Sequence, residues 1–213
     1  MKSRTSGLGA SPSAASAQGK IAPTIAQPPG QVDWGSSWQD ELITVGRAVG
    51  RPEQAEQLRD EAAARLAAAA KEHPEFKGQT AAVATPYQGI YVYGPQDARS
   101  RLLVDLGFTF PEPLEGIGGD DFGGQLSGEK VDLLDVGALV WFAEPGPADK
   151  IRANRIYRRL DVNTQGRDIF LAEKGALYEA TSFISVLSIP LLVDELVPKL
   201  AAAADGDPGT KTG

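Results

Sequence analysis

Few side chains in this sequence can do covalent chemistry. Among 213 residues there is one His, His73, and no Cys. The lack of Cys excludes disulfides, thiolate metal sites, a nucleophilic thiol and a lipid-modified cysteine. A catalytic triad would have to be assembled around His73, yet His73 stands beside Pro74 at an expected helix end, where an imidazole serves the last carbonyls. No G-x-S-x-G elbow is present to support a small hydrolase. Glu112, Glu115, Asp120 and Asp121 surround a glycine-rich stretch, and their oxygens suit Ca²⁺ or Mg²⁺. They lack the alternating Asp-x-Asp-x-Asp-Gly order of a calcium loop, so a solvated acidic loop is the simpler reading.

The residues that remain for binding are aromatic. Gly118-Gly119 and Gly123-Gly124 flank Phe122, and such glycines let an aromatic tip approach a ligand or fold back into the core. Trp141 and Phe142 end an apolar stretch, Ala138–Phe142, at the edge where α/β sheets usually hold ligands. Alternation along that stretch places at least one of the two in the core. Tyr178 follows Gly175 before the last helix, and Tyr87, Tyr91 and Tyr93 add phenols near other strand ends. An aromatic-rimmed cleft with few titratable groups suits binding rather than catalysis. The chain is therefore expected not to be an enzyme.

The elements that position these residues can be read from periodicity. Ser36 or Ser37 can cap a helix whose apolar stripe is Trp38, Leu42, Val45 and Val49, ended by Gly50. Pro52 opens a second helix with the stripe Ala55, Leu58, Ala62, Leu66 and Ala69. Gln79–Thr85 and Gly89–Tyr93 read as strands parted by a turn at Pro86. Asp97 can cap a helix through Leu106, and Phe108–Phe110 reads as a brief extended piece. Pro111–Gly128 reads as an acidic glycine loop. Then come a helix over Glu129–Leu134, the strand Ala138–Phe142, a helix over Ala148–Leu160, and the strand Asp168–Leu171. Thr181–Ala204 reads as a long helix interrupted by Pro190. Short, uniformly apolar strands alternating with helices imply an α/β lobe, with a short, mostly parallel sheet of about four strands covered on both faces.

Composition sets the limits. Lys and Arg number 21 against 28 Asp and Glu, a net charge of −7, which is wrong for nucleic-acid phosphates. No stretch reaches the ~20 apolar residues of a membrane span. Residues 1–19 hold 13 Ser, Ala, Gly or Pro and no continuous apolar core of a secretory signal, so they read as a disordered leader. The expected division is leader 1–19, lead-in and long helix 20–50, α/β lobe 51–204 and disordered tail 205–213.

Several stretches, in this order and spacing, resemble the substrate-binding proteins of iron–siderophore ABC importers, a group that also takes haem and cobalamin. They are KIAPTI (Lys20–Ile25), SWQDELITVGRAVGRPEQAEQL (Ser37–Leu58), YVYGPQDARSRLLVDLGF (Tyr91–Phe108), LSGEKVDLLDVGALVWF (Leu126–Phe142) and the ending from Tyr157 to Leu196. The resemblance implies a C-terminal lobe plus bridging helix, without the N-terminal lobe. It implies a ferric siderophore as ligand, held in a cleft by Tyr178, Phe122, Trp141 and Tyr93, and an ABC permease as partner, met through Glu129. The ligand would bring its own iron coordination, so the resemblance implies no cofactor and no metal ligands supplied by the protein itself. The family is extracytoplasmic; a chain with no signal or lipobox cysteine is expected to stay in the cytoplasm. The alternatives are haem or cobalamin as ligand, or an intracellular interaction domain derived from such a protein.

Overall fold

The structure, a computed structural model, describes residues 24–25, 34–117, 122–172, 174–207 and 209–210. The expected leader and most of the lead-in lie outside these residues. Helix α1 (Trp38–Ala48) starts where Ser37 Oγ accepts the Asp40 N–H at 3.0 Å, the capping expected of that serine. It packs on α2 (Pro52–Glu72) through Gly46, where a Cβ would collide with the side chain of Ala55. That close approach rotates the expected stripe: Trp38 is buried, but Val45 and Val49 face solvent at 57% and 66% exposure. His73 ends α2 as its cap residue, stacks on Phe76 and bonds Glu75 Oε1 through Nδ1 at 2.8 Å. The bond to His73 holds the Glu75 carboxyl below its ordinary value.

Five strands form one sheet in the order β3-β2-β1-β4-β5. They are β1 (Ala81–Thr85), β2 (Ile90–Tyr93), β3 (Gly123–Leu126), β4 (Ala138–Phe142) and β5 (Asp168–Leu171). β1, β4 and β5 run parallel to one another, while β2 is antiparallel to both β1 and β3. The α/β lobe is as expected, but its pairings divide evenly between the two senses. β3 was expected to be loop. Its sequence, GGQL, has no strand signature, and it pairs because Gly123 takes a left-handed φ of 145° against Val92 O and Gly94 N, where a side chain would not fit. Phe108–Phe110 contributes only an isolated bridge, Thr109 to Thr80.

The remaining helices are α3 (Ala98–Asp105), α4 (Pro145–Ala153), α5 (Asp161–Thr164), α6 (Ala176–Ser182), α7 (Ile189–Leu191) and α8 (Val197–Ala204). The expected Glu129–Leu134 helix is a 3₁₀ segment, Gly128–Leu134. The expected 148–160 helix is α4 followed by a 3₁₀ turn at Tyr157–Arg159. Pro190 does not interrupt a helix; it stands at the start of one, where its missing N–H costs nothing. The break lies earlier, at Phe183–Ser188, where Ser188 Oγ accepts the Ser185 N–H at 2.9 Å. Between α7 and α8 the chain makes a π turn, Leu192–Leu196, with Val197 N–H donating to Leu192 O. Pro198, which can give no N–H to the 194 carbonyl, accounts for the widened turn.

Every residue of β4 is buried, as befits a central strand. Alternation splits the core in two. Val83, Val140 and Phe142 join Phe76, Leu102, Leu196 and Leu200 on one face of the sheet. Ala82, Leu139 and Trp141 join Val92, Tyr157 and Val162 on the other. Among the described residues no helix is long and apolar enough to cross a membrane.

Candidate functional site

The cleft grows out of the β2–α3 turn. Asp97, 1% exposed, caps α3 by accepting the Arg99 N–H at 2.8 Å, as its position before the helix predicts. The same carboxylate takes both edge donors of the Arg99 side chain, Nε to Oδ1 and Nη2 to Oδ2, each at 2.8 Å. The fork geometry fixes the guanidinium in one plane. That plane lies over the Tyr93 ring, 3.8 Å from its centroid. Burial opposes the Arg99 charge, but the bonds and attraction to Asp97, with help from Tyr93 and Tyr178, outweigh it and lift the guanidinium above its ordinary pKa. Nη1 is left with no acceptor among the described residues, so the cleft has a charged donor that is already oriented.

Three further elements close around it. Ser100 Oγ donates to Tyr93 O at 3.2 Å, and Gly94 N–H donates to Phe122 O at 2.7 Å, which pins Phe122 beside the end of β2. Arg101 Nη1 donates to Gly35 O at 2.8 Å and ties the approach to α1 against α3. In that approach Trp34 holds φ at 67°, a left-handed conformation that costs a non-glycine residue of order 1 kcal/mol, and its ring is 57% exposed. On the far side Tyr178 packs edge-on to Phe142, with centroids 5.0 Å apart. Phe183, just past α6, is 74% exposed. Trp34, Asp97, Arg99, Phe122, Tyr178 and Phe183 are among the residues that line a cleft of about 540 Å³, within the range of small-ligand sites.

The expected site residues divide. Phe122 and Tyr178 line this cleft. Tyr93 lies beneath it as the surface on which Arg99 rests and meets Phe142 edge-on. Trp141 is elsewhere: it is fully buried on the opposite face, its Nε1 donating to the Tyr157 hydroxyl at 2.9 Å. Tyr157 in turn donates to Asp168 Oδ2 at 2.8 Å, and burial, reinforced by Asp168, pushes its phenol well above the ordinary range. That chain of bonds is structural. The aromatic that β4 gives to the cleft side is Phe142, one residue on. Glu129 is exposed on the 3₁₀ segment after β3 and does not line the cleft. Sequence reasoning missed Arg99, Glu41, Trp34 and Phe183 as lining groups. Only Arg99 carried a signal, the Asp-x-Arg pair in the first turn of a helix entered from Gly-Pro. Of the four acids considered for a cation, Asp120 and Asp121 lie outside the described residues. Among the described residues no group of three or more His, Cys, Asp or Glu could hold a metal ion.

The molecule is thus an α/β lobe with an aromatic-lined cleft. A family model described as periplasmic binding protein matches residues 8–166, and the chain belongs to that family, whose members are non-enzymatic binders. Among solved structures it is similar to the iron uptake ABC transporter substrate-binding protein PiaA from Streptococcus pneumoniae TIGR4, with a TM-score of 0.79 and 20% identity over 93% of this chain and 69% of that one. The same protein in complex with ferrichrome gives a TM-score of 0.75 and 20% identity over 92% and 67%. A periplasmic solute binding protein from Mycobacterium smegmatis gives 0.73 and 27% identity over 90% and 65%. The chain thus spans about two thirds of the length of these structures. A comparison with curated protein sequences finds no match.

Proposed function

We propose that this chain is the substrate-binding component of an ABC importer for ferric siderophores. The chelate sits in the cleft with its organic shell against Phe122, Tyr178, Phe183 and Trp34. Arg99 Nη1 donates to the oxygens that coordinate the iron, where negative charge is concentrated. The protein supplies no ligand to the metal, which suits a cleft without His or Cys. Glu129, exposed at the start of its helical segment, docks on cationic groups of the permease. The observation that carries the reading is Arg99, held by Asp97 and Tyr93 before any ligand arrives; such preorganisation lowers the ordering cost of binding. The family and the fold support it, as does the ferrichrome complex of the similar pneumococcal protein.

Tryptophan fluorescence tests it. Trp38 and Trp141 are 5% and 0% exposed, whereas Trp34 lines the cleft. Titration with an iron(III) trihydroxamate is expected to quench emission saturably, and Trp34→Phe to remove most of the change. No saturable change at high micromolar chelate would refute the proposal.

A further inference from the structure

We infer that Glu41 makes this cleft selective for ligand charge, favouring neutral and cationic iron chelates over anionic ones. The inference rests on the siderophore reading and names the class of chelate. Three charged residues line the cleft among the described residues: Glu41, Asp97 and Arg99. Asp97 and Arg99 neutralise each other through two 2.8 Å bonds, and Asp97 is inaccessible to a ligand. Glu41 has no such partner. It stands in the first turn of α1, its backbone N–H bonded to Ser37 O, while its carboxylate makes no ion pair or side-chain hydrogen bond among the described residues.

Among the described residues, the groups that face the same cleft offer Glu41 no uncommitted cation. From α3 come only Asp97 and Arg99, from α6 and the turn after it Tyr178 and serine hydroxyls, and from the approach to α1 Trp34 and Ser36. The described lining therefore carries one net negative charge. A tris-catecholate or carboxylate chelate, itself anionic, meets repulsion there. A hydroxamate chelate is neutral, and one with a pendant ammonium places a cation opposite the carboxylate. One charge pair across a partly screened cleft is worth roughly a tenfold change in affinity.

A pH signature follows. Burial raises the Glu41 carboxyl above its ordinary value of 4.5. Its charge, and with it the preference for a cation, is present at neutral pH and is lost as the pH falls through that raised value. Affinity for a cationic chelate should decline over this mildly acidic window, while that for a neutral chelate should change little.

The test compares three iron(III) probes by calorimetry on the full chain: a trihydroxamate with a pendant ammonium, a neutral cyclic trihydroxamate, and a tris-catecholate. The expected order at neutral pH is cationic first and tris-catecholate last. Glu41→Gln should narrow the cationic-to-anionic ratio by about tenfold and flatten the pH dependence for the cationic probe. Glu41→Lys, an exposed charge reversal, should invert the ratio. Binding with a ratio unaltered in both variants overturns this inference and leaves the proposed function standing. If none of the probes binds, both fall together.

Discussion

Arg99 combines three constraints that elsewhere are met by separate residues. Its backbone N–H is the one that Asp97 caps, its side-chain edge is clamped by the same carboxylate, and its face rests on Tyr93. Arg99→Ala should therefore weaken chelate binding by more than tenfold in a titration and, because it leaves the buried Asp97 carboxylate without its partner, also lower the melting temperature. Arg99→Lys should recover little, since an ammonium has neither the fork nor the flat face. Asp97→Asn acts on the same pair from the other side. It weakens a helix cap and a buried charge-assisted pair together, so it should lower stability by about 1–3 kcal/mol in denaturant unfolding as well as loosen binding. The contrasting case is Tyr157. Replacing it with Phe leaves Trp141 Nε1 without its acceptor and removes a donor from Asp168, for a loss of about 1–3 kcal/mol, yet chelate affinity should not change. Trp141 also shows where reading residues by type fails. Its position at the end of an apolar strand pointed to the cleft, but strand parity assigns 141 and 142 to opposite faces, and nothing in the sequence states which face carries the cleft.

At the scale of elements, capping and turn chemistry were the legible part. Ser37, one of two serines offered as a cap, and Asp97 were expected to open helices, and each accepts a backbone N–H at the start of one. Segments held by tertiary contacts were not legible. The stripe of α1 was read from period alone, yet Gly46 lets α2 approach so closely that the stripe's second half turns outward. β3 was hidden for a related reason: Gly123 is there for fit against β2, not for strand propensity. Gly123→Ala tests this. It requires a side chain at a left-handed φ against backbone atoms of Val92 and Gly94, so it should destabilise the sheet edge by about 1–3 kcal/mol. Because Phe122 is bonded to Gly94 at that edge, the same change should weaken chelate binding.

Over the whole molecule, one sheet divides two cores, and only the face carrying Tyr93 and Phe142 supports the cleft. The other face, with the Trp141–Tyr157–Asp168 chain, stiffens the central strands from behind. Fold class was readable from alternating apolar strands and helices, because burial on both faces leaves a strong pattern. The site was readable only in part, because a cleft is made where distant elements meet: residues 34–41, 97–99, 122 and 178–185. At this meeting point, we propose, an iron chelate is bound through a preset arginine. Isothermal titration of the full chain with an iron(III) trihydroxamate, beside the iron-free ligand and the Arg99→Ala variant, tests that most directly. Saturable one-to-one binding of the ferric form is expected, with weaker binding of the iron-free ligand and at least a tenfold loss in the variant. Equal binding of ferric and iron-free ligand, or no loss in Arg99→Ala, would contradict it.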